Sequence, residues 1–376
     1  MRPRNRRTFG DAPAVPLAVL VLVILIAGCG TQPKAGSTIG GSPATTRPAT
    51  TVSSAGGGSE IAGLDWSKPQ SVDSEGLVAI SCPATDYCIA TDQAGNSLTY
   101  DGTGWSKPNP IGASSASPGV ASGVASGAEV TDISCVSKSF CAATVDQGSD
   151  LAMFVGSKWG TPASPDSTGY EFNSVSCASV AFCVAVGDSL GNASTYDGTS
   201  WGGLSTIDAG GNLTSISCPT LTFCAALDLD GDAVNIDDAS VVTFGGSTWT
   251  RPTAMPDKFG DGQDLSCAGA KLCVAIDNGG DASVYDGKSW GKADPIDSTS
   301  AATVHGAVPG QTITVSCVKP SFCVVVDGNG NAVGYEDGIW GPPGPIDSGH
   351  QLNAVSCATP TFCVAVDVQG DVVVGT

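Results

Sequence analysis

The sequence predicts an all-β protein, a seven-bladed β-propeller of four-stranded antiparallel blades, and three observations predict it. Seven cysteine pairs share the spacing C-x5-C: Cys82/Cys88, Cys135/Cys141, Cys177/Cys183, Cys218/Cys224, Cys267/Cys273, Cys317/Cys323 and Cys357/Cys363. Their first members stand 53, 42, 41, 49, 50 and 40 residues apart, the period of a propeller blade. The seven tryptophans, Trp66, Trp105, Trp159, Trp201, Trp249, Trp290 and Trp340, keep the same rhythm out of phase: Trp66 precedes the first pair and none follows the last. Joining the two ends completes a seventh blade, so that the N-terminal strand closes the last blade and no edge is left open.

The unit from Ser176 to Trp201, SCASVAFCVAVGDSLGNASTYDGTSW, contains the strands in order. An innermost strand ends in SVSC, a second reads FCVAV, a third NASTY, and an outer one starts at the tryptophan. Short runs of β-branched and small apolar residues between Gly/Asn and Asp-Gly turns form a meander. Nothing carries a 3.6-residue period. Four such strands in 40–50 residues make a blade, whereas a β-solenoid has shorter rungs and no fixed cysteine pair. A serine precedes every first cysteine, and an aromatic residue or Leu272 precedes every second one. Composition agrees: 14% charged and 6% aromatic residues are too few for a helical bundle, while 50 glycines and 23 prolines supply turns.

Cysteines facing each other across the first hairpin of a blade lie within disulfide reach. Each bridge is expected to contribute about 2–2.5 kcal/mol by the chain-entropy model, and all seven suit an oxidising compartment. C-x5-C is too long for a zinc knuckle, only His305 and His350 are available as partners, and redox chemistry favours C-x-x-C.

The fifteenth cysteine, Cys29, stands apart. Arg2, Arg4, Arg6 and Arg7 precede an apolar stretch from Ala14 to Gly28, the layout of a secretory signal, and one too short for a permanent span. The ending Ile26-Ala27-Gly28-Cys29 resembles the bacterial lipobox. That resemblance implies a lipoprotein signal peptide over 1–28 and an acylated Cys29 that tethers the protein without spanning the membrane. Residues 29–62 are mostly Ser, Thr, Pro, Gly and Ala with almost no large apolar side chain, expected as a flexible linker reaching roughly 30 Å, with a composition suited to O-glycosylation. The propeller is expected over 63–376.

In a meander, alternate connections share a face. The turns between second and third strands, and the loops between blades, are expected on one face together with insertions at about 112–129, 161–173 and 298–312. Loops carry function more often than scaffold strands. This face is expected to be acidic and to meet a partner through Asp92, Asp146, Asp188, Asp277, Asp327 and Asp367, with Asp208, Asp297 and Asp347 in the interblade loops. The run Asp228-Leu229-Asp230-Gly231-Asp232 is the strongest candidate for a calcium loop. Asp and Gly are also what hairpin turns demand, and no bidentate Glu follows at the EF-hand distance.

The repeat SC-x4-FC-x-A-V-D-x-x-G-x-A-x-x-Y-D-G-x-x-W resembles that of actinobacterial, mycobacterial-type secreted lipoprotein propellers, over about four-fifths of the chain. Its A-V-D-x-x-G…W portion is similar to quinoprotein-type propellers, including the scaffold lipoproteins of outer-membrane assembly. The D-G-x-x-W ending is similar to the Asp-box of sialidases but departs from S-x-D-x-G-x-x-W. Beyond the signal, Arg47 and Arg251 are the only arginines, against the arginine cluster a sialidase needs. With 36 acidic and 16 basic residues no basic stripe exists for nucleic acid. The expectation is a non-enzymatic, lipid-anchored binding or scaffolding propeller at the cell membrane, on its periplasmic or cell-wall side. It would be monomeric, without a cofactor, and directed at a protein or cell-envelope partner. The alternative is a glycan lectin or hydrolase with its site at the mouth of the central channel, since abundant Asp leaves a carboxylate pair open.

Overall fold

The structure is a computed structural model and describes residues 60–61, 63–112, 130–165, 169–187, 190–229, 239–296, 312–319 and 321–376. The described residues form seven sheets in a ring plus a two-stranded hairpin, Glu60–Ile61 against Leu64–Asp65. In each blade the connections run antiparallel from the innermost strand outward. The innermost strands are Leu77–Ala84, Asp132–Ser137, Ser174–Ser179, Leu213–Thr220, Gly262–Gly269, Ile313–Lys319 and Leu352–Thr359, and together they enclose the channel. Five of the second strands, Tyr87–Asp92 and Phe362–Asp367 among them, are buried at every position, and the other two at every position after Phe182 and Phe223. They are covered on both faces by neighbouring blades, which explains their unbroken apolar runs.

Closure is as the tryptophan phase predicts. Gln70–Ser71 pairs with Asp371–Gly375, Gln70 opposite Val372 and Ser71 opposite Asp371. The Ser67 amide donates to the Val374 carbonyl at 2.8 Å, and the Asp65 amide to that of Thr376 at 3.0 Å. Trp66 differs from the other six. Those rest on an aromatic residue of the third strand, for example Tyr335–Trp340 at 4.9 Å and Tyr100–Trp105 at 5.6 Å between ring centroids. In the last blade that position is Gly375, and Trp66 sinks to 1% exposure. A Cβ on Gly375 would meet the indole at 3.1 Å. The hairpin before Trp66 belongs to the same core: Ile61, expected in the linker, is buried with Leu64, Val324 and Ile346.

All seven cysteine pairs are bridged, as the repeat spacing predicts: Cys82–Cys88, Cys135–Cys141, Cys177–Cys183, Cys218–Cys224, Cys267–Cys273, Cys317–Cys323 and Cys357–Cys363. Five of the pairs are directly opposed in the ladder, Cys317 with Cys323 and Cys177 with Cys183 among them. Direct opposition brings two Cβ atoms together. The other two, Cys82–Cys88 and Cys218–Cys224, fall where the register shifts, between Ser81 and Ala84 and between Ser217 and Thr220. The shift leaves their Cα atoms 4.1 Å apart, so these bridges form across the irregularity as readily as across a regular rung. In every pair the second cysteine, Cys224 and Cys323 included, is fully buried within its strand.

The serine before each first cysteine has a separate task. The Cys135 amide donates to Ser81 Oγ at 2.9 Å, Cys177 to Ser134 at 3.0 Å and Cys218 to Ser176 at 2.9 Å. The series continues with Cys267 to Ser217, Cys317 to Ser266 and Cys357 to Ser316. It closes with Cys82 donating to Ser356 at 2.9 Å. Each blade thus accepts one hydrogen bond from the next around the whole ring. Ser356→Ala leaves the Cys82 amide without an acceptor at the junction of the last and first blades. The expected cost is about 1 kcal/mol, up to about 3 if water cannot enter, measured as a lower urea midpoint with unchanged slope.

Candidate functional site

The channel is a cavity of about 350 Å³ lined by the innermost strands, with Ala79, Asp132, Ser174, Ser215, Asp264, Thr314 and Ala354 among its residues. These stand three places before the first cysteine of each blade, and Asp132 and Asp264 are the acidic ones. Asp132 accepts from the Ile133 amide at 2.7 Å, Ser174 Oγ at 2.7 Å and the Val175 amide at 2.9 Å. Asp264 accepts from the Leu265 amide at 2.8 Å, Ser215 Oγ at 2.8 Å and the Val315 amide at 2.7 Å. Each carboxylate therefore ties its blade to a neighbour. Desolvation nevertheless outweighs these donors, pushing Asp132 up to about 6 and Asp264 upward. Neither was singled out in the sequence. The available signal was an aspartate at a repeat position otherwise filled by small residues.

At one mouth of the channel lie Glu171, Asn173, Asn212, Thr214 and Gln263, around a hollow of about 420 Å³. Several mouth side chains latch adjacent blades: Asn173 Nδ2 donates to the Leu213 carbonyl at 2.8 Å, and Asn353 Nδ2 to that of Leu77 at 2.7 Å. Glu171 is exposed and Gln263 half-buried. No aromatic residue lines the channel or this mouth among the described residues.

The expected acidic partner face needs correction. Asp92, Asp277, Asp327 and Asp367 are buried, with exposures of 0–2%. Each ends a second strand and caps the turn that follows, as short Asp side chains do. Asp92 Oδ1 accepts the Ala94 and Asn96 amides at 2.9 and 2.7 Å, and Asp277 Oδ1 those of Gly279 and Asp281 at 2.8 and 2.9 Å. Asp327 holds Asn329 and Asn331, and Asp367 holds Gln369 and Asp371, in the same way. In the interblade loops Asp208 and Asp347 are buried too. Asp146 is exposed in its turn, and Asp188 and Asp297 lie outside the described residues. In the calcium candidate, Asp228 is buried and its Oδ1 accepts the Asn212 amide at 2.7 Å. Asp230 and Asp232 lie outside the described residues, as do Cys29 and all but the end residues Gly112 and Thr312 of the insertions at 112–129 and 298–312. The segment 161–173 is no open loop at its end, since Tyr170 and Phe172 are buried.

The interblade loops do share a face with the turns that these aspartates cap. Gly330, in such a turn with φ +81°, sits so near the loop that a Cβ would overlap the Asp347 carbonyl at 1.8 Å. The G-x-S-x-G letters at 198–202 and 287–291 fall on exposed Asp-Gly turns, where the Ser200 and Ser289 amides donate to the Asp197 and Asp286 carboxylates. They are not strand-to-helix nucleophile elbows.

No family model matches the chain, and no curated protein sequence matches it. Solved structures do. YCF48 bound to a D1 peptide superposes with a TM-score of 0.59 at 12% identity, over 82% of this chain and 96% of that one. YCF48 from Cyanidioschyzon merolae gives 0.57 at 16%, over 82% and 98%. The WD40 repeats of RRP9 give 0.63 at 8%, over 82% and 96%. At such identities the likeness is one of fold, and the chain is a seven-bladed β-propeller of the same architecture as the YCF48 and WD40 rings.

Proposed function

We propose that the chain is a membrane-anchored, extracytoplasmic binding or scaffolding propeller for a protein or cell-envelope partner, which docks at the mouth framed by Glu171, Asn173 and Gln263. The observation that carries this reading is the state of the two channel carboxylates. Asp132 and Asp264 each hold three donors from the blades, so they serve as interblade ties, and a general acid needs a carboxyl free to meet its substrate. The lining offers amides and hydroxyls without an aromatic shelf for a sugar ring, which gives the glycan-directed reading no support. YCF48, a ring of similar fold, is known with a peptide bound, and a peptide is the simplest partner for such a mouth. The lipid anchor rests on the Ile26-Ala27-Gly28-Cys29 ending.

Cross-linking in intact cells, followed by mass spectrometry, tests both parts. Wild type is expected to capture a reproducible partner, and a Glu171→Lys/Gln263→Arg variant of unchanged melting temperature to lose it. Cys29→Ala is expected to release the protein from the membrane fraction. Capture that is indifferent to the mouth substitutions would overturn the docking site, and retained acylation and membrane association in Cys29→Ala would overturn the anchor.

A further inference from the structure

One of the four capping aspartates is unlike the others. In the first blade, Asp92 Oδ2 accepts Asn96 Nδ2 at 2.8 Å, and in the sixth, Asp327 Oδ2 accepts Asn331 Nδ2 at 3.0 Å. In the fifth, Asp277 Oδ2 accepts the Gly260 amide at 2.6 Å. In the last blade the residue four places on is Asp371, whose side chain has no donor to offer. Asp367 Oδ2 is therefore buried without a hydrogen-bond partner. It points across the junction with the sixth blade at the loop that carries Asp347 and His350. His350 Nδ1 lies 3.2 Å from Asp367 Oδ2 and 3.4 Å from Asp347 Oδ1. Asp347 is 1% exposed and its Oδ2 is likewise buried without a hydrogen-bond partner, while the buried His350 Nδ1 has these two carboxylates as its neighbours.

The loop is held rigidly. The Ile346 and Asp347 amides both donate to the Gly330 carbonyl, at 2.9 and 3.0 Å, and the tight packing over Gly330 prevents retreat. Two carboxylates are thus fixed side by side with a single imidazole between them. Their charges repel, and each oxygen turned inward has lost its water. The junction between the third and fourth blades repeats the pair as Asp208 and Asp228, but Gly211 stands where His350 stands here. A Cβ built on Gly211 would lie 2.9 Å from Oδ2 of both aspartates. That loop position therefore faces the carboxylate pair directly, and the last junction alone places a nitrogen ligand there among the described junctions.

The geometry points to a divalent metal site formed by Asp347, His350 and Asp367, and its donor set selects Zn²⁺. One dication would neutralise both carboxylates and engage the imidazole nitrogen with one oxygen of each, since ligand atoms of the three side chains lie within 4.8 Å of one another. Ligand atoms in a tetrahedral zinc site, at bonds of about 2.0–2.1 Å, stand about 3.3 Å apart, which the histidine contacts already match. One nitrogen and two oxygens are too few and too mixed for Ca²⁺, which takes six to eight oxygens, whereas imidazole suits Zn²⁺. His350 is 41% exposed at its side chain, so the ion would enter from solvent and keep a fourth position for water. Bridging the interblade loop to the closing blade, it would fasten the ring beside the junction of its two ends.

The test is titration of the chelator-treated, untagged full chain with ZnCl₂, by calorimetry and by thermal melting. Co²⁺ absorption serves as the probe of ligand type. The expected result is one ion per chain, a melting temperature that climbs with zinc concentration as native-state binding requires, and a Co²⁺ spectrum without thiolate charge transfer. His350→Ala is expected to weaken binding at least about tenfold, the lower end of what lost support for a metal costs. Asp367→Asn is expected to do the same while preserving the fold, because an asparagine Oδ1 still accepts the Gln369 and Asp371 amides. Absence of saturable binding, binding unchanged in His350→Ala, tighter binding of Ca²⁺ than of Zn²⁺, or loss of binding in Cys29→Ser would each overturn the assignment.

Discussion

Refolding this chain under reducing conditions is expected to leave it unfolded. At about 2–2.5 kcal/mol for each short loop, the seven bridges together approach or exceed the whole stability of an ordinary domain, which is about 5–15 kcal/mol. The second cysteines, Cys88, Cys141, Cys183, Cys224, Cys273, Cys323 and Cys363, are 0% exposed, so reductant added to the native protein reaches these sulfurs only after a blade opens. The measurement is therefore circular dichroism after dilution from denaturant, with and without reductant. One double variant, Cys135→Ala/Cys141→Ala, calibrates a single bridge and should lower stability by about 2–2.5 kcal/mol, somewhat more if the cavity fails to collapse. Recovery of the native spectrum and melting temperature in reductant would show that the disulfides are incidental to the fold.

Removing the closing strand is expected to be nearly as severe. Trp66 is among the largest fully buried side chains, packed with Leu64, Val355 and Val373. Trp66→Ala alone is expected to cost about 3–5 kcal/mol, the usual range for a buried Trp. Deleting residues 64–71 removes the indole, the Gln70–Ser71 pairing and the Asp65–Thr376 bonds together, and it leaves Asp371–Gly375 as an open edge prone to pairing between molecules. Urea unfolding and size-exclusion chromatography read both consequences, a lower midpoint and the appearance of oligomers. A deletion variant that is monomeric with the wild-type midpoint would mean that the ring is held without its seam.

The two experiments probe features of different range. A disulfide here links residues six apart in the chain, so the repeat spacing suffices to place it, and the first hairpin of a blade has little freedom to do otherwise. What the spacing does not carry is the local register: Cys317 and Cys323 face each other on one rung, while Cys218 and Cys224 meet across a shift in the ladder. Closure links residues about 300 apart, yet it too is legible, because Trp66 is surplus at one end by the same unit that is missing at the other. The serine before each first cysteine was visible as a pattern, but its acceptor role was not. Ser81 and Cys135 meet because neighbouring innermost strands lie side by side around the channel, and spacing along the chain carries no trace of that distance.

The aspartates divide along the same line. Asp at the end of a second strand is recognisable from composition, and its turn-capping role is local. Whether the carboxylate then faces solvent or the neighbouring blade depends on what packs over the turn, and here Asp92, Asp277, Asp327 and Asp367 all turn inward. An expectation of an acidic surface built on them failed for that reason.

By itself the sequence determined the number of blades, the strand order within each, the sulfur pairing and the seam, because each follows from a period or a local turn. The tertiary structure alone decided which groups meet across a blade junction: serine with cysteine amide, Asp132 with Ser174, and Asp347 with His350 and Asp367. The first two join residues about one blade apart in the chain, and the third joins a loop to the turn of the next blade, while in each case separation in space is set by how blades pack about a common axis.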